Sequence, residues 1–232
     1  MPDLSGFPVT LKWPPQHPDR IQYYGLPTPN GVKVSIMLEE TGLPYEAHKV
    51  DFSKDEQKSP EFLSLNPNGK IPAILDPNGP GNKPIGMFES GAILLYLAGK
   101  AGKFLPNNPV GRLDAIQWLM FQMGGVGPMF GQLGFYVKFA GKDWGEDKSR
   151  GRYAAETKRL LGVMDAQLAG KTWFLGDDYS IVDISLIGVT RNLVEFYGAG
   201  ELVGFDEFGN VKAWLERALV RPAVQRGLAV AG

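Results

Sequence analysis

The chain has 232 residues, 44% hydrophobic and 21% charged, with a formal net charge of −1 and no cysteine. That length and balance give ample core for one large domain or two small ones and exclude wholesale disorder, and a near-neutral charge gives no reason to expect nucleic acid or an anionic membrane as partner. Without cysteine, no protein thiol can be oxidised or act as a nucleophile, so any thiol chemistry must use a sulfur brought in by a ligand.

Residues 1–20 hold Pro2, Pro8, Pro14, Pro15 and Pro18 and no apolar run fit for a signal peptide. They read as an irregular arm over the surface of a protein expected in the cytoplasm, and no stretch of the chain approaches the ~18 apolar residues of a membrane span. Ile21 to Tyr24 predicts a strand, and the turn Leu26 to Gly31 follows. An amphipathic helix comes next, with Val32, Ile36, Met37 and Leu38 on its buried side. Tyr45 to Val50 predicts a second strand and Glu61 to Leu63 a short helix. Ile71 to Leu75 and Ile85 to Met87 predict two more strands around the Gly- and Pro-rich turn Asp76 to Pro84, and helix Ser90 to Lys100 closes the unit. This β-α-β, then β-β-α order is that of a thioredoxin-like domain over 21–101. A linker over 102–111, with Pro106 and Pro109 inside it, leads into an all-helical domain over 112–232. Helices are predicted there at Arg112 to Met123, Ser149 to Leu168, Ile181 to Tyr197 and Asn210 to Leu219. Gly124 to Gly131 interrupts the helical pattern, because Gly and Pro end or kink a helix and let another backbone or a ligand come close. Ser180-Ile181-Val182-Asp183 has the spacing of a capping box, which makes Asp183 a helix cap in the fold and not a catalytic carboxylate.

Two segments carry chemistry. Glu89-Ser90 stands where an apolar helix should begin, and a helix N-terminus, with unpaired N–H groups and about +0.5 of a charge, is built to hold a carboxylate. Upstream, a strand entering at Ile71-Pro72 cannot donate from the proline, so its free backbone groups can pair with an extended peptide. Together these read as a receptor for a short anionic peptide. His17 and His48 lie far apart, one in the arm and one in a strand, and make neither a metal site nor a base. In the turn Pro27-Thr28-Pro29-Asn30-Gly31, Thr28 and Asn30 have donors able to hold a thiolate; both also suit turn and cap positions without any further role.

Phe88-Glu89-Ser90-Gly91-Ala92-Ile93-Leu94-Leu95-Tyr96-Leu97 and Asn68-Gly69-Lys70-Ile71-Pro72-Ala73 resemble the glutathione site of the glutathione-transferase family, over about Ile21 to Val224. The resemblance implies the glutathione-transferase fold: an α/β thioredoxin-like N-terminal domain and an all-α C-terminal domain. It implies a cis peptide at Pro72, and Glu89 and Ser90 gripping the γ-glutamyl end of glutathione. It also sets the first helix N-terminus beside the ligand sulfur, with Thr28 ranked above Tyr23 and Tyr24, strand residues that face the core. With Thr28-Pro29-Asn30-Gly31 and Gln117-Trp118-Leu119 followed by Gly124-Gly125-Val126-Gly127-Pro128-Met129, the chain is similar to the nu class, the bacterial branch related to the yeast nitrogen-regulator prion domain. That class implies a homodimer holding two glutathiones, or one glutathione disulfide, per site, with good disulfide reduction, poor conjugation of standard electrophiles and no metal. By motif match its glutathione ligands fall on Asn30, Gln57, Ile71, Glu89, Ser90 and Arg152, with Arg150 an equal alternative to Arg152. Lys70 precedes the backbone-pairing Ile71, and Phe135, Tyr136 and Tyr197 are candidates for an acceptor pocket, with a second glutathione against Gly124 to Gly131. The expected function is glutathione-dependent disulfide reduction on a small-molecule partner. The alternatives are conjugation or thioether cleavage on an aromatic electrophile, and glutathione binding without turnover in a regulatory protein.

Overall fold

The computed structural model describes residues 3–140 and 147–230. Packing divides the chain into two units, residues 1–101 with 222–232 and residues 102–221.

In the first unit, strands β1 (Ile21–Gly25), β2 (Tyr45–Lys49), β3 (Ala73–Asp76) and β4 (Ile85–Phe88) form one sheet of order β2-β1-β3-β4. β1 pairs parallel with β2 and antiparallel with β3, which pairs antiparallel with β4. All five residues of β1 are buried, so its sequence is a run of large side chains and not an alternation. Tyr23 and Tyr24 are both fully buried, as expected of strand residues facing a core. Helices α1 (Val9–Lys12), α2 (Gly31–Thr41), α3 (Pro60–Leu65) and α4 (Ser90–Ala101) complete the unit, together with the C-terminal helix Pro222–Ala229. Every residue of α2 from Gly31 to Leu38 is buried. The C-terminal helix packs on α2, where Ser35 Oγ donates to Gly227 O at 2.6 Å and a Cβ on Gly227 would stand 2.6 Å from Ile36 Cα. Residues 222–232 thus group with the first unit and not with the helices that precede them.

Two expectations are corrected here. The arm is not irregular surface: Val9–Lys12 is a helical turn behind Pro8, and Leu4 and Val9 enter a core cluster with Tyr24, Val50, Phe62, Ile71 and Leu75. Four residues are too few for a period to show in sequence. Trp13 Nε1 then donates to Lys49 O, and the N–H groups of Gln16 and His17 donate to the Glu46 carboxylate, covering the edge strand β2. The third strand begins at Ala73 and not at Ile71, because Pro72 has no N–H and restricts the residue before it.

The second unit is helical: α5 (Pro109–Phe121), α6 (Gly127–Gly134), α7 (Asp147–Leu168), α8 (Ile181–Arg191), α9 (Gly200–Val203) and α10 (Gly209–Leu219). The glycine-rich segment does not end the helix. A π-helical turn, Gln122–Val126, joins α5 to α6 with right-handed dihedrals on both sides, and another, Phe135–Phe139, follows α6. A wider turn relieves the clash of Pro128 with the preceding carbonyls, so the axis continues where an α-helical ladder would break. A third π-helical turn, Asn192–Phe196, replaces the last part of the expected helix Ile181 to Tyr197. The capping box is present at α8. Asp183, fully buried, accepts from Ser180 N (2.9 Å), Ser180 Oγ (3.1 Å), Phe174 N (3.0 Å) and Trp214 Nε1 (2.9 Å). Burial pushes its pKa up and these donors oppose the rise, so the carboxylate ties three segments of the unit together.

Candidate functional site

β4 passes into α4 through Glu89, whose φ of 68° lies in the left-handed region, a conformation that costs a non-glycine residue of order 1–3 kcal/mol. Ser90 follows as the first residue of α4, only 6% exposed, at the helix end whose first-turn N–H groups have no partner within the helix. Glu89 O accepts from Ile93 N at 2.9 Å, closing the first turn.

Opposite this end, Asn66 shapes the loop before β3. Its Nδ2 donates to Lys70 O, and its Oδ1 accepts from Asn68 N at 3.0 Å. Gly69, at φ 63°, completes the bend. The Ile71–Pro72 peptide is cis. Ile71 buries its side chain in the core cluster, while its N–H and C=O form no hydrogen bond within the described residues. This is an extended backbone segment with both polar groups open to a ligand strand.

These parts enclose a cavity of about 210 Å³ lined by Asn30, Asn66, Asn68, Lys70, Ile71, Pro72, Glu89 and Ser90. Of the residues expected from sequence, Asn30, Lys70, Ile71, Pro72, Glu89 and Ser90 are thus brought together. Thr28 stands two residues before Asn30 but does not line the cavity. Its Oγ1 accepts from Gly31 N at 3.2 Å, so it serves the start of α2 while its own proton goes to no protein acceptor among the described residues. Gln57 also lies outside the lining. Its backbone carbonyl is 3.2 Å from where a Cβ on Gly69 would be, its Nε2 donates to Asp55 at 3.3 Å, and its Oε1 is buried without a partner.

The remaining expected residues belong to the second unit. Arg152 is exposed on α7, where the Glu156 carboxyl is lowered chiefly by its hydrogen bond from Arg159 and least by the Arg152 charge, and Arg150 is exposed on the same helix. Phe135 and Tyr136 belong to one group of ring contacts and Tyr197 to another. Tyr136 stacks on Tyr153 with centroids 5.5 Å apart and meets Phe135 edge-on at 5.4 Å. Tyr197 packs over Gly134, where a Cβ would come within 2.5 Å of the ring, and its partial burial raises its pKa. Phe196 meets the Tyr197 ring at 5.5 Å and Phe139 at 6.2 Å, both phenylalanines being exposed and missed from sequence, and Lys138 Nζ stands 4.0 Å from the Phe196 ring centre. A larger cavity, about 630 Å³, lies elsewhere in this unit between Lys103–Asp114 and Leu175–Ser180. Its lining includes Ser180, which is committed to the capping box of α8, and size alone does not make it the better candidate.

Sequence reasoning also missed Lys33. It is 1% exposed, with Nζ 2.9 Å from Asn30 Oδ1 and 3.4 Å from Ser90 Oγ. Burial lowers its pKa to about 7, against the pull of the Glu89 charge. The available signal was spacing: Lys33 is three residues beyond Asn30 on the same helix face. Among the described residues no group of three or more His, Asp or Glu could hold a metal ion, and no helix is long and apolar enough to cross a membrane.

Residues 20–99 match the family model for the glutathione S-transferase N-terminal domain, and residues 128–222 match that for its C-terminal domain. The disulfide-bond oxidoreductase YfcG of Escherichia coli is 40% identical over 213 residues, 90% of this chain and 94% of that protein. A crystal structure of a glutathione transferase from Burkholderia graminis, with two glutathione molecules bound per subunit, is 62% identical with a TM-score of 0.97, covering 98% of this chain and 95% of the other. One from Pseudomonas putida, with one glutathione disulfide bound per subunit, is 60% identical with a TM-score of 0.97, covering 99% of this chain and 100% of the other.

Proposed function

The chain belongs to the glutathione S-transferase family, and from that membership we propose that it reduces small-molecule disulfides with bound glutathione as the thiol source, in the manner of the nu class. The observation that carries this reading is the juxtaposition of Ile71, with its unpaired backbone, and Ser90 at the N-terminus of α4 around one cavity. Glu89 and Ser90 grip the γ-glutamyl end, with its carboxylate at the Ser90 helix end, the cysteinyl backbone pairs with Ile71 before Pro72, and Thr28 and Asn30 donate to the sulfur. Lys70, Gln57 and Arg152 are assigned to the rest of glutathione from the family resemblance. The relatives with two glutathiones or one glutathione disulfide bound, and the oxidoreductase named for disulfides, support the same chemistry.

A free thiol of pKa about 8.5 is only a few per cent thiolate at neutral pH, and lowering that pKa by ~2 units needs about 2.7 kcal/mol of preference for the thiolate. Two or three charge-assisted hydrogen bonds are of that size. The thiolate attacks one sulfur of the acceptor, forming a mixed disulfide and releasing the other half as a thiolate that takes up a proton. A second glutathione thiolate attacks the glutathione sulfur of the mixed disulfide, giving glutathione disulfide and the second acceptor thiol. Two glutathiones are oxidised, one disulfide is reduced, and no protein sulfur takes part.

A second reading has one observation in its favour. The exposed rings of Phe135, Phe139 and Phe196 suit an aromatic acceptor, as conjugation or thioether cleavage would require. Assembly as a homodimer in the cytoplasm belongs to the proposed reading as well. Glutathione-dependent reduction of a small model disulfide, run beside conjugation of a chloronitrobenzene, tests it. Rapid reduction with weak conjugation is expected, and the reverse ratio would move the assignment to a conjugating transferase.

A further inference from the structure

We infer that Lys33 is the positioning residue that makes Asn30 present its donor to bound glutathione, an inference that rests on the glutathione reading above. A lysine is rarely buried unless its amine has partners, and this one, 1% exposed, reaches across from α2 to the start of α4. Two groups that it contacts, Asn30 and Ser90, line the cavity, while Lys33 does not.

The chemistry of the three groups fixes what this contact does. An asparagine amide has an acceptor end and a donor end, and a thiolate can use only the donor end. In its ammonium form, held below about pH 7, Nζ has donors only, so holding Asn30 Oδ1 at 2.9 Å turns Nδ2 the other way. The same Nζ, 3.4 Å from Ser90 Oγ, ties the start of α2 to the start of α4. One buried amine thus sets the polarity of Asn30 and braces the two helix starts that face the same anionic peptide. Without it, Asn30 is free to flip and offer oxygen to a thiolate, which is repulsive.

The test uses the purified full-length protein with saturating glutathione and no acceptor, reading the thiolate absorbance of the bound ligand against pH and its affinity by calorimetry. Lys33→Met keeps length and removes the donors. The expected result is a bound-thiol pKa raised by about one unit and an affinity weakened about tenfold, the size of one lost hydrogen bond to a charged group, with an unfolding midpoint no lower than the wild type's. Lys33→Gln, which supplies a donor of its own, is expected to recover part of both effects, and it decides the question if Lys33→Met does not fold. Asn30→Leu, which has neither donor nor acceptor and adds no charge, is expected to raise the thiol pKa similarly, with Lys33→Met then adding less than it does alone. A bound-thiol pKa unchanged in both Lys33 variants, or shifts that add in the double variant, would overturn the inference. If the wild type binds glutathione but reduces no disulfide, the reaction reading fails while this titration still decides Lys33. A wild type that binds no glutathione overturns both.

Discussion

Lys33→Met is expected to remove a pH dependence of folding stability that the wild type shows. Burial lowers the pKa of this amine from 10.5 to about 7 in the folded chain. Between those values the unfolded chain holds a proton that the folded chain does not, so stability rises with pH; the contribution is complete above 10.5 and is lost as pH falls through the window to 7. At about 1.36 kcal/mol per unit, and with the folded amine half charged at pH 7, the rise from pH 7 to pH 9 is about 2 kcal/mol. Measurement stops at pH 9 because Tyr23, Tyr24 and Tyr45 have pKa values raised by burial, and above pH 10 their contribution falls as pH rises. Urea unfolding without glutathione, followed by tryptophan fluorescence at pH 7, 8 and 9, gives the two curves. The wild type is expected to gain about 2 kcal/mol more than Lys33→Met over this range. Parallel curves would mean that Lys33 keeps its proton in the folded state, and the burial argument would be refuted.

Three further outcomes follow from particular contacts. Thr28→Val removes the hydroxyl proposed to face the sulfur and also the acceptor for Gly31 N–H; turnover at neutral pH should fall several-fold with the pH–rate profile moved up by about one unit, while Thr28→Ser retains both, as steady-state rates from pH 5.5 to 9 will show. Asp183→Ala leaves the N–H groups of Phe174, Ser180 and Trp214 without their buried acceptor and should cost about 3–5 kcal/mol in urea unfolding; a loss under 1 kcal/mol would show that the carboxylate is dispensable to the fold. Gly227→Ala puts a Cβ within 2.8 Å of the Ile36 backbone, so the C-terminal helix must shift from α2, at a cost of about 1–3 kcal/mol in the same assay.

The thioredoxin-like element order was legible because each strand is bounded by turn residues and each helix has an apolar face. Glu89-Ser90 and Ile71-Pro72, which line one cavity, stood out in the sequence because helix starts and X-Pro junctions have consequences that depend on nothing distant. The capping box at Ser180 and Asp183 is local in the same sense, whereas the Trp214 bond that completes it spans 31 residues and leaves no mark in the pattern. Lys33 was hidden for a related reason. A lysine within a helix reads as a solvated face, and only the arrival of Ser90, 57 residues on, makes it buried. The arm and the C-terminal helix were misjudged because proline content and sequence position stood in for packing. Their burial comes from Tyr24, Phe62 and Ile36, residues far away in the chain. The glycine-rich segment near Pro128 was read as an end or a kink because a π-helical turn uses the same residues that end an α-helix.

The account depends most on the sulfur being activated by this cavity and its turn. The direct measurement is the thiol pKa of glutathione bound to the wild-type protein, by thiolate absorbance from pH 5 to 9, a range in which the buried tyrosines stay protonated. The account predicts a value about 2 units below the ~8.5 of a free thiol. A bound thiol that titrates like free glutathione would contradict it, because donors at Thr28 and Asn30 could not then be facing the sulfur.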